Sequence, residues 1–449
     1  MTKFIVITDT HFFKNSLGCS GKIYDNYMKT QQKCYAETEA INEAVFDFLS
    51  KTDLADTIFI AGDLVNDGDK QSHLAFIKLL EKVQVAGKKI YIITAGHDHN
   101  KNPRGYLGEE RFDLEPTQRE ELYELYKDFG FSSALTLDKE NLTYTANIGD
   151  DVRLLALNCD GKGEKNGTFD EERMLWIENE CKKAKEDGRI AIGMNHIPLL
   201  AGQPIFSLVK NAVQKNASEI TTRFADFGLN LVFTGHMHNQ SINCKTTELG
   251  NKFYDICTGA VVQAPACMRL VSVIDNETID IKTLPCPDFD YPMGDKTCEQ
   301  YLNDIFDASI LNMISDLKDS PEILIKKCGA TPNKALCAVF SKVGRVIDTM
   351  KVGTVCKLAF VKCDASVKDK PFKDLAAEIV RSLFQGNQRF KEGTVEGDIL
   401  LNIIKRFNFV LKKLNIKNTD GEKVDLFEVI KNTIGNYGID DNNAVIKLK

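Results

Sequence analysis

Thr57-Ile58-Phe59-Ile60-Ala61-Gly62-Asp63 is a β-branched, apolar run that stops on a glycine and a carboxylate. The same pattern recurs along the first part of the chain. Phe4 to Thr8 runs into Asp9-Thr10-His11, Ile90 to Ala95 into Gly96-His97-Asp98-His99, Ile190 to Met194 into Asn195-His196, and Leu229 to Thr234 into Gly235-His236-Met237-His238. Near-continuous apolar runs suit strands covered on both faces. Between them, Glu37 to Leu49 and Ser72 to Val83 have the spacing of amphipathic helices. This alternation predicts an α/β fold with an open sheet, in which ligands bind beyond the carboxyl ends of the strands. The polar clusters stand at that end.

After the loop Pro285-Cys286-Pro287 through Pro292-Met293-Gly294 the texture changes. Strand-like runs thin out and helical periodicity takes over: Phe372, Leu375, Ala376, Ile379 and Leu383, then Ile399, Leu400, Ile403, Ile404, Phe407, Leu411 and Leu414. Pro371 suits a helix start, and Gly421 and Gly435 suit breaks. Two domains are expected, 1–285 and a helical one at 295–449 whose first helix lies near Tyr301 to Leu317. A chain of 449 residues is long enough for both.

Composition excludes several classes. Charged letters make up 27% and hydrophobic ones 43%, the balance of a globular protein. The net charge of −7 supplies no chain-wide field for nucleic acid or an anionic membrane surface. No run approaches the roughly 18 apolar residues of a membrane span. The 13 cysteines are scattered, without a C-x-x-C pair, and odd in number, which suits a reducing compartment. A cytoplasmic protein is expected.

The histidines point to chemistry. Of seven, six (His11, His97, His99, His196, His236 and His238) fall in the strand-end clusters, and only His73 lies elsewhere. His73, in Gln71-Ser72-His73, reads as a helix-start or packing residue. Scattered structural histidines have no reason to gather beside Asp9, Asp63 and Asp98, whereas a metal centre has one. Imidazole and carboxylate are ligands of Zn, Mn, Fe and Ni. Asp9-x-His11 and His236-x-His238 each bring two ligand-type side chains to one loop. Asp9, His11, Asp63, His97, His196, His236 and His238 are too many for one tetrahedral ion and suit two ions sharing a carboxylate, for which Asp63 is the natural bridge.

The series Asp9-Thr10-His11, Gly62-Asp63-Leu64-Val65-Asn66-Asp67-Gly68, Gly96-His97-Asp98-His99, Asn195-His196 and Gly235-His236-Met237-His238 resembles the calcineurin-like metallophosphoesterases. Their pattern is D-x-H, G-D-x-x-x-x-G, G-N-H-[DE], H and G-H-x-H. The resemblance covers residues 3 to about 285 and implies a four-layer α/β/β/α sandwich with two divalent ions. It implies that Asp9, His11, Asp63 and His238 hold one ion and that Asp63 also reaches the second. His196, His236 and the residue at the family's asparagine position complete that one. Here that residue is His97.

The family's next histidine, thought to protonate the leaving group or steady the transition-state charge, is replaced by Asp98, and His99 falls where the family has Asp or Glu. Either Asp98 is the general acid, or His99 reaches in, or the metals alone stabilise the leaving oxygen. Lys101 and Arg104 are candidates for phosphoryl oxygens, and Asp160 for the pocket wall. The architecture looks like that of bacterial two-domain cyclic-nucleotide phosphodiesterases. The resemblance therefore implies a phosphodiesterase acting on a small diester, a 3′,5′-cyclic nucleotide among the candidates, by in-line attack of a water activated between the ions. A phosphomonoesterase or protein phosphatase is the alternative within the enzymes, and a metal-binding interaction module with impaired catalysis the alternative outside them.

Overall fold

The computed structural model describes residues 1–448 apart from 30, 100–101, 160–168, 328–330, 413–417, 419–420 and 436–438. β1 (Lys3–Ile7), β2 (Thr57–Ala61) and β3 (Lys89–Ile93) run parallel, as their buried β-branched side chains require. β4 (Arg104–Leu107) and β5 (Glu110–Asp113) form a separate hairpin. A second sheet follows, built from β6 (Thr136–Asp138), β7 (Thr143–Ile148), β8 (Val152–Ala156), β9 (Ile190–Met194), β10 (Leu231–Thr234), β11 (Ser241–Thr246) and β12 (Lys252–Cys257). Its order is β11-β12-β10-β9-β8-β7-β6, with β8, β9, β10 and β12 parallel. β13 (Cys267–Val273) and β14 (Thr278–Pro285) then return to the first sheet on the free side of β1.

The two sheets face each other. Phe4 of β1 stacks on Phe59 of β2 at 4.4 Å and meets Phe233 of β10 edge-on at 5.7 Å across the interface. α1 (Lys22–Met28) lies in the long connection after β1, while α2 (Thr38–Lys51) and α3 (Lys70–Val85) pack together and cover the outer face of the first sheet. α4 (Arg119–Tyr126) packs on α3; α5 (Glu171–Glu186) and α6 (Ala217–Phe227) cover the outside of the second sheet through Met174, Ile177, Ile220 and Phe224. The result is the α/β/β/α sandwich. Trp176 packs half-buried against this last cluster.

Beyond β14 the chain is helical: α7 (Cys298–Asp319), α8 (Pro321–Lys327), α9 (Lys334–Thr349), α10 (Val352–Leu358), α11 (Phe372–Gln385), α12 (Val395–Leu411) and α13 (Leu426–Thr433). α7 and α11 pack on the sandwich, where Phe206 touches Phe384 and Phe384 touches Phe306. One element departs from the helical reading. β15 (Asn443–Lys447) pairs with β14 and becomes the edge of the first sheet. Its approach is fixed by Arg269, fully buried, whose guanidinium donates to the carbonyls of Asp441 at 2.6 Å and Cys257 at 3.0 Å. One side chain on β13 thus ties the C-terminal strand to β12 of the other sheet. Among the described residues, no helix is long and apolar enough to cross a membrane.

Candidate metal centre

The carboxyl ends of β1, β2 and β3 meet those of β9 and β10, and the turns there are unusual. Asp9, His11, Asp63, Asp67, His236 and His238 all have positive φ, between 36° and 65°. For a non-glycine residue this region costs on the order of 1 kcal/mol, and it persists only where neighbouring bonds over-determine it. Those bonds are present: Asp9 N–H donates to Gly62 O at 3.1 Å, His11 N–H to Asp63 O at 3.0 Å, and Gly235 N–H to His196 O at 2.9 Å. Gly62 is needed in its turn, since φ is 90° and a Cβ would lie 2.9 Å from the His196 ring.

The turns bring two groups of three together. Asp9, His11 and His238 form one, Asp63, His196 and His236 the other, and within each the ligand atoms lie within 4.8 Å of one another. Each carboxylate divides its work. Asp9 Oδ2 accepts from Thr8 Oγ1 at 2.7 Å and from the His236 amide at 3.0 Å, and Oδ1 faces Nε2 of His238, His11 and His196 at 3.1, 3.6 and 3.8 Å. Asp63 Oδ1 accepts from the His97 amide at 2.9 Å, and Oδ2 faces Nε2 of His196 and His11 at 3.1 and 3.8 Å. One oxygen is anchored by hydrogen bonds; the other reaches histidines of both groups.

The histidines are oriented from behind. His196 Nδ1 donates to Ala61 O at 2.8 Å, His238 Nδ1 to Gln263 Oε1 at 2.8 Å, and His236 Nε2 to Asn211 O at 2.9 Å. In the neutral ring each donation fixes the tautomer and leaves the opposite nitrogen with a lone pair, the arrangement that ligating histidines need. His11 Nδ1 instead meets Lys33 Nζ at 2.8 Å. Burial opposes ionisation of Asp9, but His238 and His196 outweigh it and hold the carboxyl well below the usual range; Asp63 is lowered against burial by His196 and His97. Burial likewise opposes the charge on His196, and Asp63 and Asp9 override it, raising its pKa to about 10. Burial, with His196 beside it, lowers that of His236 to about 4.

A family description, calcineurin-like phosphoesterase, matches residues 2–240. The chain belongs to that family. A calcineurin-like phosphoesterase is a metal-dependent phosphoester hydrolase, and the two clusters are candidate sites for its ions. Among curated proteins, a probable glycerophosphodiester phosphodiesterase from Arcobacter nitrofigilis is 22% identical over 185 residues, 40% of this chain and 58% of that protein. The match therefore spans little more than half of the relative's length. Among solved structures, a dimetal phosphatase from Danio rerio has a TM-score of 0.45 at 10% identity, covering 64% of this chain and 96% of that one. A purple acid phosphatase from yellow lupin seeds has a TM-score of 0.39 at 11% identity, covering 64% and 51%.

Against the family's pattern, the third cluster of this phosphoesterase behaves differently from the others. His97 stands outside both groups of three: its backbone serves Asp63, while its ring lies edge-on to His11 at 4.9 Å and its Nδ1 is 3.1 Å from Asp67 Oδ1. Asp98 is the expected candidate for the general acid, and burial with Asp63 beside it raises its pKa. Asp98 is fully buried and accepts from the amides of Leu64 at 2.7 Å, Val65 at 3.0 Å and Ala95 at 2.8 Å, so its carboxylate is turned into backbone. His99 is also buried, beside Gly68 and His73, and belongs to neither group. Arg104 pairs with Asp113 across the β4–β5 hairpin. Asp160 and Lys101 lie outside the described residues. His73 packs as expected, with Nδ1 2.6 Å from the Tyr126 hydroxyl and Nε2 2.9 Å from Asp98 O. Lys33, Gln263 and Asn211 were not foreseen, because none lies in a motif and each reaches the centre from a loop remote in sequence.

Proposed function

We propose that this phosphoesterase hydrolyses a small phosphodiester with two divalent ions, one held by Asp9, His11 and His238, the other by Asp63, His196 and His236. The observation that carries the reading is the pair of divided carboxylates, Asp9 Oδ1 and Asp63 Oδ2, each facing histidines of both groups. The donors fit divalent Mn, Fe, Zn or Ni. His196 Nε2 is buried and lies 3.1 Å from Asp63 Oδ2, a pair of ligand-type atoms turned toward one another at the second group. When bound, such ions lower the pKa of a coordinated water toward 7 and neutralise phosphoryl charge.

The chain's own part is to hold the charges. Asp9 and Asp63 stay ionised, and the hydrogen bonds from Thr8, His236 and His97 keep their free oxygens aimed inward. The leaving oxygen is assigned to His97. Its ring is partly exposed, lies next to His11 and is oriented by Asp67. The preference for a diester over a monoester is supported by the Arcobacter nitrofigilis relative, and cyclic nucleotides are the first natural diesters to screen.

In this proposal residues 1–285 form the catalytic unit. Residues 295–449 buttress it through α7, α11 and β15, and a cytoplasmic location follows from the cysteine distribution. The test is hydrolysis of bis-p-nitrophenyl phosphate and p-nitrophenyl phosphate by chelated protein refilled with Mn²⁺, Fe²⁺, Zn²⁺ or Ni²⁺. Faster turnover of the diester is expected. Preference for the monoester would replace the reading with a phosphatase, and two bound metals with no turnover of either would replace it with a binding module.

A further inference from the structure

Three of the four histidines in the two groups have a hydrogen-bond acceptor behind the ring; His11 has a cation. An ammonium has hydrogens and no lone pair, so in this contact His11 Nδ1 accepts. The ring hydrogen of neutral His11 then sits on Nε2, the nitrogen facing Asp9 Oδ1 at 3.6 Å and Asp63 Oδ2 at 3.8 Å. An imidazole that gives Nε2 to a metal carries its hydrogen on Nδ1, where an ammonium cannot receive it. Lys33 is therefore not a backing group for a ligated His11 in the way that Gln263 is for His238.

Its placement is nonetheless specific. Lys33 is 8% exposed, and the next residue, Cys34, donates its amide to Val262 O at 3.0 Å, beside Gln263. The backbone at Lys33 is thus tied to the loop of Gln263, and the ammonium lies beside His11. The third cluster, where the resemblance placed a residue to steady transition-state charge, has instead turned Asp98 into backbone amides.

We propose that Lys33 is a substrate-binding residue that donates to a phosphoryl oxygen, releasing His11 Nδ1 when His11 ligates its ion. This rests on the phosphodiesterase reading above. A lysine is suited to the task, because its flexible stem lets a compact point charge turn from the ring to an incoming anion. It would also offset phosphoryl charge on the side of the first group, where no other cation is assigned.

The experiment uses full-length protein, chelated and reloaded with Mn²⁺. Metal content, calorimetric binding of inorganic phosphate and hydrolysis of bis-p-nitrophenyl phosphate are compared for wild type, Lys33→Met and Lys33→Arg. Lys33→Met should keep two ions and weaken phosphate binding at least about tenfold, the effect of one lost charge-assisted hydrogen bond. KM for the diester should rise, and Lys33→Arg should recover most of both losses. Phosphate binding within twofold of wild type in Lys33→Met overturns the proposal. So does a loss of phosphate binding that only follows loss of an ion, which would make Lys33 a positioning residue for His11. If Lys33→Met does not fold, Lys33→Gln gives the same readings. Failure of the phosphodiesterase reading shows separately, as wild-type protein that holds two ions and hydrolyses no diester.

Discussion

The turns after β1, β2 and β10 and the turn after β3 occupy equivalent places in the fold and contain the same kinds of residue, yet they do opposite things. The first three throw Asp9, His11, Asp63, His236 and His238 into left-handed backbone and aim their side chains at one another. The turn after β3 folds its carboxylate back. Asp98 takes amides from Leu64 and Val65, the residues that follow Asp63, and from Ala95, while its carbonyl meets His73. The turn after β3 is a brace for the turn after β2. A carboxylate at a strand end is therefore a ligand or a structural bolt according to whether backbone amides converge on it, which residue type alone does not reveal.

Substitutions can break this contrast. Asp63→Asn removes the charge shared by both groups and should lower diester turnover at least about 10³-fold, some 4 kcal/mol in the barrier, while the variant unfolds like wild type. Asp98→Ala should do the reverse: three buried amides left unpaired cost roughly 3–4 kcal/mol in urea unfolding, and the protein that remains folded still holds two ions. Equal loss of metal in Asp98→Ala and Asp63→Asn would erase the distinction.

His73 sharpens the comparison through pH. Burial lowers its pKa to about 4, against about 6.5 in an unfolded chain. The unfolded state thus binds the proton more readily, so His73 contributes stability that is fully present above about pH 6.5 and is lost as pH falls toward 4. The loss amounts to up to about 3 kcal/mol. Urea unfolding of chelated protein between pH 7.5 and 4 should show this slope reduced in His73→Gln; an unchanged slope would remove His73 from the brace. A smaller effect is expected at Gln263, where Gln263→Ala frees the His238 ring and should weaken metal binding about 10–100-fold without changing the fold, as read by metal-buffer titration and circular dichroism.

What could be read from the residues follows the same division. β1, β2, β3, β9 and β10 announce themselves because strands buried on both faces need unbroken apolar runs, and the amphipathic spacing of α2, α3, α11 and α12 is equally plain. β15 is not legible: it is a short edge strand whose Val445 is exposed, and its pairing with β14 depends on Arg269, distant in sequence. In the site, the histidines and acids show themselves by gathering at strand ends. The direction of Asp98, the separation of His97 from the second group and the arrival of Lys33 do not, since each is decided by hydrogen bonds between loops that only the fold brings together.

In the proposed centre Asp9 and Asp63 each belong to the set for one of two ions, and a metal titration tests this most directly. Chelated protein would receive Mn²⁺ in measured equivalents while bound metal and bis-p-nitrophenyl phosphate hydrolysis are followed together. Two ions per chain should bind, with turnover rising chiefly as the second is taken up. Full activity at one equivalent, or saturation of binding at one, would contradict it.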